Sequence, residues 1–178
     1  MANKGSDIID PVELARELIR CPSVTPADAG ALDLLQRTLT QLGFTCHRLT
    51  FAAPGTEPIG NLYARSGSAN GPNFCFAGHS DVVPVGDRAA WTSDPFGGEL
   101  RDGMVHGRGA ADMKGAIASQ VYAAATVKNL GLKHRGNIIV SCVVQEEPAE
   151  CVGTAYLCDV TLVSRGIKPD FVVLGEPS

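Results

Sequence analysis

Carboxylate and imidazole side chains stand in this sequence where apolar segments end. Such residues follow three of those segments, and one more begins a helical pattern. They are His79, Asp81, Asp112, Glu146, Glu147 and Glu176. One imidazole with several carboxylates is a ligand set that suits Zn²⁺, or Co²⁺ and Mn²⁺. If the fold brings these residues together, they predict a divalent-metal site, in which a shared carboxylate would allow two metals.

Each of these residues has an ordinary explanation when it is taken alone. His79 could be a structural polar residue, the Glu146-Glu147 pair a solvated strand end, and Asp112 a helix cap. The metal hypothesis therefore depends on their meeting at one edge of a sheet. The remaining histidines show no such pattern, and we interpret them as surface or structural residues: His47, His106 and His134.

The sequence lacks the motifs of nucleotide-binding proteins and of serine hydrolases. Residues 107–112 place an Asp where a dinucleotide-binding fingerprint needs its third Gly, and they follow a predicted hairpin rather than a first strand. The same segment contains no G-K-S/T of a P-loop, and no G-x-S-x-G nucleophile elbow occurs in the chain. A metal-activated water is therefore the predicted nucleophile.

Two amphipathic helices are predicted ahead of the first strand. Residues 10–13 offer an N-cap Asp, a first-turn Pro and a capping-box Glu, and this helix is expected to end near Cys21. The second helix follows Asp28 and is expected to end at Gly43. Its apolar stripe predicts a core-facing surface made of Leu32, Leu35, Leu39 and Leu42.

Strands alternate with helices along the rest of the chain. Strands are predicted at 44–49, 62–65, 74–77, 137–145 and 171–174, helices at 113–129 and 154–164 with a Gly166 cap, and a hairpin at Asp102-Gly103. This order favours the α/β class, with a mostly parallel twisted sheet and helices on both faces. Ligand sites of such sheets lie beyond the carboxyl ends of the strands, where the candidate residues stand.

Composition narrows the classes of function. The chain has 178 residues, of which 44% are hydrophobic and 19% charged, as expected of one globular domain. Its net charge is −4 with scattered Lys and Arg, which argues against a nucleic-acid partner. We found no membrane-length apolar stretch and no signal peptide, and we expect a cytoplasmic protein without a membrane partner. Six cysteines without a C-x-x-C pair are predicted to be reduced and mostly buried.

The residues around the candidate site resemble those of the dinuclear zinc peptidases and deacylases, the family of carboxypeptidase G, aminoacylase and acetylornithine deacetylase. The resemblance is carried by residues 76–87, 91–96, 101–103, 107–115, 146–147 and 175–178, and it begins at residues 19–26. It implies a zinc-peptidase-like catalytic domain that hydrolyses the amide of a small N-acyl amino acid.

The resemblance also assigns metal ligands. It makes Asp112 the carboxylate that bridges two zinc ions, with His79 and Glu176 on one metal and Glu147 on the other. It further implies a cis peptide bond between Asp112 and Met113.

The same resemblance assigns two residues that handle protons. Glu146 would be the general base that takes a proton from the attacking water and passes it to the leaving amine. Asp81 would hold the ring of His79 in one tautomer. Both residues count as catalytic in this hypothesis.

Some features depart from the family pattern. Gln145 stands where the best-matching branch usually has Asp, and residues 148–152 replace its typical loop, which leaves another deacylase of the family as an alternative.

Residues 1–178 are expected to be the N-terminal part of the metal-binding catalytic domain, without a lid domain or the C-terminal catalytic segment. We therefore expect little activity from this chain alone and a homodimer only for the full-length protein. A non-catalytic metal-binding or interaction domain is the alternative of a different class.

Overall fold

A computed structural model describes residues 9–52, 57–67, 70–148 and 152–177. The α-helices in these parts of the chain are α1 Pro11–Ile19, α2 Ala31–Gln41, α3 Gly115–Asn129 and α4 Val152–Tyr156, which continues more widely wound over Leu157–Leu162, and a short 3-10 helix spans Arg88–Ala90. The strands are β1 Thr45–Phe51, β2 Ile59–Gly67, β3 Asn73–His79, β4 Glu99–Arg101, β5 Met104–His106, β6 Asn137–Val143 and β7 Phe171–Leu174. Cys151 and the centre of the 148–152 loop lie outside the described residues.

The central sheet has the strand order β1-β2-β6-β3-β7. β2 is antiparallel to both of its neighbours, whereas β3 is parallel to β6 and to β7. Four of the five strands therefore run in one direction, which confirms the mostly parallel α/β class. In the register, His79 lies opposite Val143 and Ala77 lies opposite Leu174, so β3, β6 and β7 end at the same edge.

Helices cover both faces of this sheet. On one face, α1, α2 and α3 bury a large apolar core that includes Leu18, Leu62 and Val140. On the other face, the α4 segment covers a smaller cluster that includes Tyr63 and Leu157. Neighbouring residues of β2 thus point to opposite cores, as strand geometry requires.

The amphipathic stripe of α2 is confirmed. Its predicted apolar residues are at most 2% exposed, and Gly43 follows the helix with φ 77°. The hairpin is confirmed as well, because Asp102 (φ 53°) and Gly103 (φ 77°) adopt the left-handed angles of a two-residue turn between β4 and β5.

The start of α1 is only partly as predicted. Asp10 caps the helix, since its Oδ1 accepts hydrogen bonds from the backbone N–H groups of Val12 and Glu13 at 2.9 and 3.3 Å. The capping-box role of Glu13 is wrong. Its two carboxylate oxygens accept hydrogen bonds from Arg16 and Arg20 at 2.8 and 2.9 Å, because charged donors one and two turns later outcompete a neutral N–H.

The described cysteines are all free thiols. The prediction that most of them are buried is wrong for the described cysteines, since Cys21 and Cys46 are half-buried and Cys158 is exposed. Cys75 and Cys142 are buried, and burial raises the pKa of each thiol to about 12. Within the described parts of the chain, no helix has both the length and the apolarity needed to cross a bilayer.

Candidate metal centre

The carboxyl edge of the sheet collects the candidate residues. β3 ends at His79, β6 leads into Glu146 and Glu147 after a short turn, and β7 leads into Glu176. Asp112 reaches the same place from the segment Ala110–Lys114, which precedes α3. The structure therefore brings together residues that are up to 97 positions apart in the sequence.

The ring of His79 is the centre of this arrangement. Its Nε2 atom lies 3.1 Å from Oδ1 of Asp112 and 3.3 Å from Oε2 of Glu176. Oε2 of Glu146 is 3.7 Å from the same nitrogen. The ring itself is 1% exposed, whereas the three carboxylates are partly exposed. A buried imidazole thus directs one nitrogen toward three carboxylates that solvent can reach.

Asp81 lies behind the ring and is fully buried. Nδ1 of His79 is 3.0 Å from the backbone oxygen of Asp81 and 3.6 Å from its Oδ1. The Asp81 carboxylate also accepts hydrogen bonds from the backbone N–H groups of Glu146, at 3.1 Å to Oδ2, and Glu147, at 3.4 Å. Asp81 therefore fixes the histidine ring through its backbone oxygen and the turn that carries the two glutamates through its carboxylate.

Two groups of side chains are close enough to hold a metal ion. His79, Glu146 and Glu176 form one, and His79, Asp112 and Glu147 form the other, with ligand atoms within 4.8 Å of one another in each. His79 belongs to both groups. The distances place Glu146 as near to His79 as a ligand would be, so they do not separate a ligand role from a base role for this residue.

The electrostatics of the site reflect crowded anions around one cation. Burial alone would lower the pKa of His79, but the hydrogen bond and charge of Asp81, with the charge of Glu146, raise it to about 9. Burial would raise the pKa of Asp81, but hydrogen bonds from His79 and from the backbone N–H of Glu146 hold it below its usual range.

The pKa values of Glu147 and Glu176 are raised, whereas that of Asp81 is lowered. Burial, followed by the negative charge of Asp112, raises the pKa of Glu147. Burial also raises the pKa of Glu176, and the charges of Asp112 and Glu146 add to this while the charge of His79 opposes it. At these distances the negative charges of the carboxylates repel one another.

The backbone around Asp112 differs from the predicted helix. That helix was expected to begin at Met113, but Asp112 and Met113 have non-helical angles and regular α-helix begins at Gly115. The peptide bond between Asp112 and Met113 is cis, as the resemblance implied. Just before it, Gly109 has φ 83°, and its backbone oxygen accepts a hydrogen bond from the N–H of Lys114 at 2.9 Å.

Two glycines allow the strand ends to approach α3. A Cβ atom on Gly78 would lie 2.8 Å from Cε of Met113, and one on Gly175 would lie 2.5 Å from Cβ of Ala116. Because His79 and Glu176 directly follow these glycines, the close packing sets the position of both side chains.

Sequence reasoning missed Lys114. Its side chain is fully buried, and Nζ donates a hydrogen bond to the backbone oxygen of Cys21 at 2.8 Å. Burial lowers the pKa of this amine to about 8 against the opposing charges of Cys21 and Asp81. The sequence does offer one signal for this residue, because Lys114 follows Asp112 by two positions in the segment 107–115 that carries the family resemblance.

Comparison with known proteins identifies relatives of this chain. The model of peptidase family M20/M25/M40 matches residues 75–178. A succinyl-diaminopimelate desuccinylase of Rhodospirillum centenum is 54% identical over 169 residues, which cover 95% of this chain and 43% of that protein. The enzyme of the same name from Bradyrhizobium diazoefficiens is 52% identical over 176 residues, with 95% and 44% covered. The chain thus spans less than half the length of these relatives.

Solved structures share the fold at lower identity. An M20 family metallo-carboxypeptidase from Sulfolobus solfataricus superimposes with a TM-score of 0.78 at 20% identity, over 96% of this chain and 38% of that one. Human carnosine dipeptidase 1 gives a TM-score of 0.73 at 22% identity, over 92% and 37%. With the family model matching more than half of its residues, this chain belongs to peptidase family M20/M25/M40.

Proposed function

We propose that this chain is the N-terminal part of the metal-binding catalytic domain of a desuccinylase. The complete protein would hydrolyse N-succinyl-LL-2,6-diaminopimelate to succinate and LL-2,6-diaminopimelate, a step of lysine and peptidoglycan precursor synthesis in the bacterial cytoplasm. The observation that carries this proposal is the convergence of His79 with four carboxylates at the edge of the sheet. The names of the relatives that are about half identical support the choice of substrate.

The donor set fits divalent metal ions. Burial and the negative charge of Asp112 raise the pKa values of Glu147 and Glu176, and a bound cation would offset that charge. An imidazole held by a buried aspartate is a frequent zinc ligand. We assign Asp112 as the shared ligand of two Zn²⁺ ions, or of Co²⁺ or Mn²⁺, with His79 and Glu176 on one ion and Glu147 on the other.

Bound metals of this kind would lower the pKa of a water molecule and polarise the amide carbonyl. Glu146 then takes one proton from the attacking water on its carboxylate. It passes that proton to the amide nitrogen as the C–N bond breaks, so that water and amide become a carboxylic acid and an amine. Its backbone N–H is bound to Asp81 at 3.1 Å, which fixes where the base stands.

Asp81 and His79 act as a pair in this proposal. Because the pKa of Asp81 stays below its usual range, the group remains a carboxylate 3.6 Å from Nδ1 of the ring, and this nitrogen donates its hydrogen to the backbone oxygen of Asp81 at 3.0 Å. Once a metal displaces the second ring proton, that tautomer would leave the lone pair of Nε2 directed at Asp112 and Glu176, where the metal would sit.

A second candidate substrate is favoured by Gln145. This residue ends the turn after β6 with φ 62°, and its Oε1 is buried without a hydrogen-bond partner among the described residues. The departure borders the metal centre and supports a deacylase of the same family that acts on another amide, such as N-acetylornithine.

One assay separates the candidates. The full-length protein, loaded with zinc, is incubated with N-succinyl-diaminopimelate or with N-acetylornithine, and release of succinate or acetate is measured. We expect succinate release to have the higher kcat/KM. Faster acetate release would favour the second substrate, and metal binding with neither activity would contradict both proposals and favour a non-catalytic module.

A further inference from the structure

A basic cavity of about 460 Å³ lies far from the metal centre. Its lining includes Thr45 at the start of β1 and Gly67 at the end of β2, which pairs with Asn137 at the start of β6. These positions belong to the amino edge of the parallel strands, opposite the edge at which His79 stands. Tyr63, which also lines the cavity, belongs to the smaller core on the α4 face of the sheet.

Two guanidinium groups supply the charge of this cavity. Arg165 lies over the ring of Tyr63, with its central carbon 5.4 Å from the ring centroid. Arg65 reaches the cavity from β2 and donates from Nε and Nη2 to Oδ1 of Asn137 at 3.0 and 2.9 Å. An amide oxygen does not neutralise this charge. No carboxylate lines the cavity, and neither arginine forms an ion pair with any residue in the described parts of the chain.

One polar group of the cavity lining lacks a partner among the described residues. The hydroxyl of Tyr63 is buried and has no hydrogen-bond partner among the residues that the structure describes. His47 stands beside it, with the two ring centroids 6.1 Å apart. A buried donor left unpaired costs free energy, and two uncompensated arginines facing one volume repel each other.

We propose that this cavity binds a small oxyanion through Arg65 and Arg165. The planar guanidinium fork matches the geometry of carboxylate and phosphate oxygens, and charge-assisted hydrogen bonds of this kind are the strong ones. The volume is within the usual range for small-molecule sites. The site is independent of the metal centre and of the amide that the complete protein cleaves.

The test titrates the metal-free chain with inorganic phosphate and, separately, with succinate at constant ionic strength, and follows backbone amide shifts by NMR. We expect saturable shifts at Thr45, which pairs with Arg65, and at Gly67 and Ile167, which follow Arg65 and Arg165 by two residues. Saturation by phosphate alone would identify a tetrahedral phosphate group as the ligand. Saturation by succinate alone would identify a carboxylate, and saturation by both would support an oxyanion site that accepts either.

Variants decide whether the arginines bind the anion. Arg165→Gln removes an exposed charge and should weaken binding about tenfold, the usual cost of losing a charged hydrogen bond, whereas Arg165→Lys should keep part of the affinity. Arg37→Gln, which removes the same charge from the exposed face of α2, should leave it unchanged. The proposal is overturned if shifts fail to saturate at the cavity, or if Arg165→Gln binds as tightly as the wild type.

Discussion

Glu146 and Glu147 are neighbours with the same side chain, so only their surroundings can divide the work between them. Our proposal gives Glu146 the proton transfer and Glu147 a metal. In the complete protein, Glu146→Gln should keep the metal content while lowering kcat by roughly 10²–10⁴-fold, the usual contribution of a general acid–base residue. Metal analysis and succinate release measure the two effects separately.

The matched variant is Glu147→Gln, which should lose metal as well as activity. If instead Glu146→Gln loses metal and Glu147→Gln keeps it, the two roles are exchanged. That exchange would fit the short distance between Glu146 and His79 in the metal-free geometry, 3.7 Å.

The raised pKa of His79 has a consequence for metal binding. At pH 7 the ring is protonated in the metal-free chain, because its pKa is raised to about 9. A metal must displace this proton, so the apparent zinc affinity should increase with pH, by about tenfold per unit between pH 6 and 8, and level off above the pKa. Competitive zinc titrations at three pH values measure this slope.

His134→Gln is the control for this titration. Nδ1 of that imidazole lies 3.0 Å from the backbone oxygen of Gly136, and His134 belongs to neither group of candidate metal ligands, so the variant should keep the slope. His79→Ala should abolish tight binding at every pH. A zinc affinity that stays constant from pH 6 to 8 would show that His79 is already neutral before the metal binds.

The elements of the fold follow from the sequence wherever a local rule decides. The stripe of α2 obeys the helical period, and Asp102-Gly103 is a turn sequence that few other conformations accept. The helical pattern did not predict the backbone at Met113, where Asp112 and Met113 have non-helical angles and regular α-helix begins only at Gly115. The strand pattern also failed at the end of β6, which stops at Val143 instead of residue 145 because Gln145 adopts a left-handed φ.

The end of β7 depends on the glycine that precedes Glu176. Gly175→Ala would bring a Cβ within 2.5 Å of Cβ of Ala116, which is rigid on α3, so β7 must shift. We expect a loss of about 1–3 kcal/mol in the free energy of unfolding, the usual cost of overpacking, and weaker zinc binding. Urea unfolding of the metal-free chain measures the first effect, and zinc titration measures the second.

Gly60→Ala is the matched control for this substitution. There a Cβ would meet only ordinary contacts, at 3.5 Å from Nη2 of Arg48 and 3.7 Å from Cδ1 of Leu32. Its stability should therefore stay within about 0.5 kcal/mol of the wild type. Equal stability and equal zinc affinity of Gly175→Ala would mean that the contact with α3 does not position Glu176.

At the scale of the whole molecule, the strand order could not be read from the sequence. The insertion of β2 beside β6 joins Leu62 to Cys142, 80 residues away, and no local pattern encodes such a pairing. The carboxyl edge could still be predicted, since parallel strands place their ends together whatever their order. The same limit applies to the burial of Lys114, whose amine donates a hydrogen bond to the backbone oxygen of Cys21, 93 residues away.

The last prediction concerns what residues 1–178 do by themselves. Under our assignment, one metal receives His79, Glu176 and Asp112 from this chain, whereas the other receives Glu147 and Asp112. We therefore expect the chain to bind one zinc ion more tightly than a second. We also expect little release of succinate, because a dinuclear site needs both metals in place. Calorimetric zinc titration and a succinate assay on the purified chain, beside the full-length protein, measure both. Turnover equal to that of the full-length protein would show that residues 1–178 already contain every group that the reaction requires, and two equal zinc sites would contradict our division of the ligands.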